Sequence, residues 1–208
     1  ILGLVIGASP HEFEIIGVPF KERGRRTDEY IEALRRIFDE APFTEVDGPN
    51  VHFENAEFQP KPKGLPIWLC GKGEAAMRRV AHYGQGFLPG DFSPDECREK
   101  LNRLDEYLAR AGRSRQEIVC GNEIFICARG SVEEAERDAE STMFYRHKKL
   151  ENARERFLVG SPASICEHIG RYIDAGTHHF ELKFVARSLE DQLEMMRRIA
   201  EEIVPAFS

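Results

Sequence analysis

The chain has 208 residues, and its 29 lysines and arginines against 36 aspartates and glutamates give a net charge of −7. Hydrophobic residues make up 41% of it, enough for a sizeable core, which excludes global disorder. The acidic balance excludes a general nucleic-acid binder, and no apolar run approaches the roughly 20 residues that cross a bilayer.

The chain opens on Ile1 rather than Met, and Ile1-Leu2-Gly3-Leu4-Val5-Ile6 reads as a buried strand in mid-fold. It lacks the positively charged lead and Ala-x-Ala site of a signal peptide. The expectation is a missing N-terminal part; the plainer alternative is a chain trimmed at its first strand. Further strand-like segments fall at about 66–71, 85–89, 119–128 and 179–185. Each is short and apolar, the pattern of a parallel sheet buried on both faces.

A helix signal follows each strand. After the first, Tyr30, Ile31, Leu34, Ile37 and Phe38 share one helical stripe. Residues 43–63 break the rhythm: Phe43 to Val46, a turn at Asp47-Gly48-Pro49-Asn50, and Val51 to Phe53 predict a β-hairpin. After the second strand, Met77, Val80 and Ala81 align. After the third, Ser93-Pro94-Asp95-Glu96 supplies an N-cap, a proline at the first helical position and a capping-box acid, and Gly112 offers the stop. After the fourth, Ser131-Val132-Glu133-Glu134 opens a helix that runs into a polar stretch, His147 to Arg156. A second helix starts near Ser161-Pro162, buries Ile165, Ile169, Tyr172 and Ile173, and stops at Gly176. Last, Leu189, Leu193, Met196, Ala200 and Ile203 predict a terminal amphipathic helix.

Regular strand–helix alternation means an α/β fold with a parallel sheet. Five such units fit a doubly wound sheet or most of a (β/α)8 barrel. The doubly wound option is weaker, because the Gly-x-Gly-x-x-Gly turn with its following acid is not found. The five cysteines (70, 97, 120, 127 and 166) are odd in number and widely spaced. Neither a disulfide framework nor a zinc ribbon is indicated, and a reducing, cytoplasmic compartment is expected. Cys120 and Cys127 lie inside one strand and read as core thiols.

Leu69-Cys70-Gly71-Lys72-Gly73-Glu74-Ala75-Ala76 closes a strand and opens a helix. Its glycines let a ligand approach the backbone, and a helix N-terminus suits an anion such as phosphate. A tight strand–helix turn with no ligand is the competing reading. Gly3 to Phe13 reads as a strand end followed by a loop, where Gly7 and Ala8 leave room for a flat ligand. Glu12 there reads as a complement to a helix dipole rather than a reacting group. In Lys21-Glu22-Arg23-Gly24-Arg25-Arg26, phosphate contact by Arg23 competes with a solvated surface, which is preferred. His178 and His179 point to opposite faces of a strand, against a joint metal site.

Gly17-Val18-Pro19-Phe20-Lys21-Glu22-Arg23-Gly24-Arg25-Arg26-Thr27-Asp28-Glu29-Tyr30-Ile31-Glu32 resembles the luciferase-like monooxygenase family, as does the preceding Glu12 to Gly17. So do Pro66-Ile67-Trp68-Leu69-Cys70-Gly71, Gly84-Gln85-Gly86-Phe87-Leu88-Pro89, and Gly160-Ser161-Pro162 leading to Asp174 through Phe180. The resemblance implies a (β/α)8 TIM barrel of which only the C-terminal five βα units are present. Residues 1–208 would form a single domain, with 43–58 as a hairpin insertion. It implies FMN or coenzyme F420 as cofactor, bound at the C-terminal ends of the strands. Carried over here, Cys70, Gly71, Lys72, Gly73 and Ala76 would hold the cofactor after one strand, and Gly7 and Ala8 would line it from another. The implied chemistry is hydride transfer or oxygen insertion on a small organic substrate, with F420 favoured by the Val18–Gly24 block. A homodimer is implied for the full-length form.

Two departures stand out. Val5 takes the middle position of the family's Gly-x-Gly-x-Gly, and Ala8 stands where some members carry an acid. Strands that carry the family's catalytic residues are not among the five units, so no catalytic residue is assigned. A barrel typically needs about 250 residues, and an open part of one is expected to aggregate or unfold alone. The rivals are another phosphate-binding barrel enzyme without a flavin, and an inactive fragment or non-catalytic relative.

Overall fold

A computed structural model describes residues 1–39, 43–142 and 154–207. Part of the polar stretch from His147 lies outside the described residues. The chain divides into two compact units, Ile1–Gly86 and Phe87–Ser208.

The first unit contains β1 (Leu2–Leu4), α1 (Pro10–Ile15), α2 (Arg23–Asp39), β2 (Phe43–Asp47), β3 (His52–Glu57), β4 (Ile67–Leu69) and α3 (Glu74–Tyr83). Strands β1 and β4 pair in parallel, Leu2 against Ile67 and Leu4 against Leu69. All of β4 is buried, and α3 covers it with Met77, Val80 and Ala81, the stripe the periodicity predicts. The expected buried strand over residues 1–6 is only partly met: the strand is Leu2–Leu4, none of it fully buried, and the flanking Ile1 and Val5 are 67% and 71% exposed. Among the described residues β1 pairs with β4 alone, so one edge and part of its faces stay uncovered.

The predicted hairpin forms, with β2 antiparallel to β3. Its turn is tied to α2 by one carboxylate. Glu29 accepts from the backbone N–H groups of Asn50 (2.7 Å) and Val51 (3.1 Å) and from the Asn50 side-chain amide (2.6 Å). These bonds favour the charged form and hold the Glu29 carboxyl below its ordinary range, against the desolvation that would raise it.

A two-residue strand, β5 (Gly86–Phe87), lies at the boundary. The second unit continues with α4 (Pro94–Arg110), β6 (Val119–Ala128), α5 (Val132–Ser141), β7 (Leu158–Gly160), α6 (Pro162–Asp174), β8 (His179–Phe184) and α7 (Leu189–Arg198). A π-type turn, Ile199–Ile203, extends α7. Helix α4 starts on the predicted capping box, with Glu96 N–H donating to Ser93 Oγ and Ser93 N–H to Glu96 Oε2. It stops before Gly112, which takes the left-handed φ of +70°. Strand β6 has the predicted bounds and pairs in parallel with both β7 and β8. Sequence reading missed β7.

Apolar side chains of β6 meet α6 and the C-terminal turn in one core containing Ile124, Ile126, Leu158, Ile165, Ile169, Tyr172, Met195 and Ile203. Cys97, Cys120 and Cys127 are buried, as expected for the latter two. The fully buried Tyr172 reaches two carbonyls, Phe92 O at 2.7 Å and Arg156 O at 2.8 Å. Arg129, at the end of β6, donates to Asp138 of α5 (2.7 Å) and Asp191 of α7 (2.8 Å), so one buried guanidinium joins three elements.

The terminal helix departs from its predicted face. Leu189, Leu193 and Met196 are 72%, 45% and 45% exposed, while Met195 and Ile199 are buried beside Ile203. The apolar arc of α7 is wider than the core beneath it.

Candidate cofactor site

Parallel pairing brings the ends of β1 and β4 side by side, and Cys70 N–H donates to Leu4 O at 3.0 Å. The chain leaves β4 through Gly71, whose φ of +137° and packing exclude a side chain: an added Cβ would lie 2.8 Å from the Ala76 methyl. Gly73 then occupies the N-cap of α3. It has no side chain to accept from the first-turn N–H groups, and an added Cβ there would meet nothing within 4 Å. The backbone of Lys72, Gly73, Glu74 and Ala75 is therefore approachable at the positive end of a ten-residue helix. Glu74 sits in the first turn 3.7 Å from Arg78, which tempers its negative charge.

The structure thus places Cys70, Gly71, Lys72 and Gly73 in one strand-to-helix turn, as the sequence reading expects, with Ala76 buried in the first turn of α3. Gly7 and Ala8 lie at the same end of the neighbouring strand. Gly7 has a left-handed φ of +75°, but the space beside it is taken: an added Cβ would lie 2.6 Å from the Phe13 ring. The predicted loop after β1 is in fact α1, capped by Ser9 with Pro10 in its first turn. That short helix folds Phe13 back over Gly7 and sets it edge-on to Phe20, ring centres 5.4 Å apart. Ser9-Pro10 is the sequence signal that would have announced the helix.

The basic cluster is turned toward its own chain. The Arg23 guanidinium lies 3.7 Å over the Phe20 ring and donates to Phe20 O at 2.8 Å. Arg26 bonds Glu22 at 3.0 Å, and Arg79 pairs with Asp28. The phosphate role considered for Arg23 finds no support in this geometry. Among the described residues there is no group of three or more side chains able to hold a metal ion, and no helix is long and apolar enough to cross a membrane.

Parallel strands alternating with helices define an α/β protein. The luciferase-like monooxygenase family model matches residues 1–157, and the chain belongs to that family. An uncharacterised protein of Mycobacterium tuberculosis is 35% identical over 119 residues, covering 56% of this chain and 38% of that protein. The FMNH2-dependent dimethylsulfone monooxygenase of Pseudomonas fluorescens is 30% identical over 138 residues, covering 64% and 37%. Among solved structures, the coenzyme F420-dependent tetrahydromethanopterin reductase of Methanopyrus kandleri shares the fold with a TM-score of 0.74 at 15% identity, over 100% of this chain and 74% of that one. The matched stretches thus cover 38% and 37% of the length of these two curated relatives.

Proposed function

We propose that this chain is part of an oxidoreductase that uses FMN or coenzyme F420, and that the Cys70–Ala76 turn holds the phosphate-bearing tail of that cofactor. The supporting observation is the uncapped, accessible N-terminus of α3, entered through a glycine that tolerates no side chain. Backbone N–H groups of Gly73 to Ala75 bind the anion, Lys72 adds a positive charge at the rim, and Gly71 keeps the turn tight against Ala76. Ala8 lines the cofactor from the neighbouring strand end; Gly7 serves by admitting Phe13, which closes that side to water. The bound cofactor would supply the redox chemistry, hydride transfer or oxygen insertion on a small organic molecule, and the protein orientation and electrostatics.

The test is titration of the purified chain with FMN and with F420. Gly73→Asp places a carboxylate at the N-cap, which stabilises α3 by roughly 0.3–1 kcal/mol while repelling phosphate. Binding weakened tenfold or more, in a protein with an unchanged or higher unfolding midpoint, supports the reading. Equal affinity in both proteins refutes it. The chain's share of its relatives' length favours a second reading of the same site, in which these 208 residues take up cofactor without turnover.

A further inference from the structure

Two glycines with a left-handed backbone flank the segment Ala8–Ile16: Gly7 at φ +75° before it and Gly17 at φ +69° after it. Helix α1 makes up most of this segment and buries none of its six residues. Its own bonds are local. Ser9 caps the helix, and Ile16 N–H donates to Glu12 O at 3.2 Å. The ring contact and the hydrogen bond that tie the segment to the chain beyond it both belong to Phe13. Its carbonyl accepts from Val18 N–H at 3.0 Å, and its ring rests beside Gly7 and edge-on to Phe20. Phe20 is itself fixed: the Arg23 guanidinium, at the start of α2, lies over its ring and donates to its carbonyl. The segment leaves the strand end whose Leu4 carbonyl is bonded to Cys70. A short element held by one side chain, with a glycine at each end to absorb a backbone change, has the build of a hinged lid.

We propose that Ala8–Ile16 is a lid beside the cofactor turn, hinged at Gly7 and Gly17, with Phe13 as its latch and Phe20, held by Arg23, as the keeper. The structure shows the latch closed. Opening breaks one ring pair and one hydrogen bond, swings α1 off the strand end and uncovers the backbone at Gly7; closing over a bound cofactor remakes both. The same contacts hold the lid with and without cofactor. Phe13 therefore sets how fast the cofactor enters and leaves, and not how tightly it binds. Loss of an edge-to-face pair raises the open population by roughly three- to tenfold. The inference rests on the cofactor reading of the Cys70–Ala76 turn, and it gives the basic cluster around Arg23 a use that needs no phosphate.

The test is stopped-flow association and dissociation of FMN and of F420 with the full 208-residue chain and with Phe13→Ala, Phe20→Ala, the double variant and Gly73→Asp. Hydrogen exchange over residues 10–18 is followed with and without cofactor. The expected result for Phe13→Ala is that association and dissociation both quicken by roughly three- to tenfold, with affinity held within about twofold and the unfolding midpoint unchanged. Phe20→Ala does the same, and the double variant goes no further than either single one, because both remove the same contact. Residues 10–18 exchange faster than α3 in the free chain and slow when cofactor is saturating. Faster dissociation with unchanged association would overturn the lid and leave Phe13 an ordinary contact. Rates that multiply in the double variant would also overturn it, as would exchange over 10–18 that cofactor does not alter. Gly73→Asp separates the two readings. If it weakens binding while Phe13→Ala leaves both rates unmoved, the lid fails and the cofactor turn stands. If it binds as the parent does while Phe13→Ala quickens both rates, the turn fails and the lid stands. A chain that takes up neither cofactor overturns both.

Discussion

Gly86→Ala should destabilise the first unit's core through a single methyl group. An added Cβ would lie 2.4 Å from two atoms of the Trp68 ring and 2.6 Å from a third, where ordinary contact begins near 3.4 Å. The ring must therefore retreat by about 1 Å, and it is 5% exposed between Ile67 and Leu69, each 2% exposed. Overpacking of this kind costs about 1–3 kcal/mol, more than the roughly 0.5–1 kcal/mol that alanine gains over glycine within a strand. Each kcal/mol lowers the midpoint of a unit this size by roughly 4–8 °C. Trp68 is the chain's only tryptophan, so its fluorescence reports this site alone. The expected signature is a red-shifted emission maximum and an earlier transition. Gly170→Ala in α6 meets nothing within 4 Å and should raise stability by about 1 kcal/mol through helix propensity, which controls for glycine replacement as such. A Gly86→Ala protein with unchanged emission and midpoint would refute the packing argument.

Burial pushes the thiols of Cys97, Cys120 and Cys127 up to about 11. Their unfolded value is about 8.5, so the stability they contribute is complete below that pH and is lost as pH rises toward 11; urea titrations across pH 8–11 should show a falling midpoint. In native protein at pH 8, iodoacetamide should label the half-buried Cys70 and Cys166 well before these three. Tyr172→Phe removes the hydroxyl that reaches Phe92 O and Arg156 O and should cost about 1–2 kcal/mol in chemical denaturation. Arg129→Met removes the buried guanidinium between Asp138 and Asp191, leaves them the more exposed Arg187 at 3.4 and 3.7 Å, and should cost up to about 3–5 kcal/mol, with partial recovery when both acids become asparagine.

Strand β6 and helices α4 and α6 were legible because each carries its own signals: the apolar run Ile124–Ala128, a capping box with a glycine stop, and a regular stripe. Strand β7 has three residues, too few for any periodicity, and exists because the end of β6 offers it an edge. Helix α1 has six residues and no buried side chain, so no apolar pattern announced it. Periodicity identified the apolar residues of α7 but not which arc of the helix this chain covers. At the candidate site, the turn from Cys70 to Ala76 could be read from glycine spacing at a strand end. The filling of Gly7 by Phe13 could not, since a sequence shows that a side chain is absent and not what occupies its place.

Glu29 has a consequence for the hairpin it anchors. Three hydrogen bonds from one helical side chain locate the 48–51 turn from outside, so the tip's position does not depend on the β2–β3 ladder. A foreign hairpin should be accepted there if its turn keeps an asparagine within reach of Glu29 and a glycine at position 48, where an added Cβ would lie 2.4 Å from Glu29 Oε1.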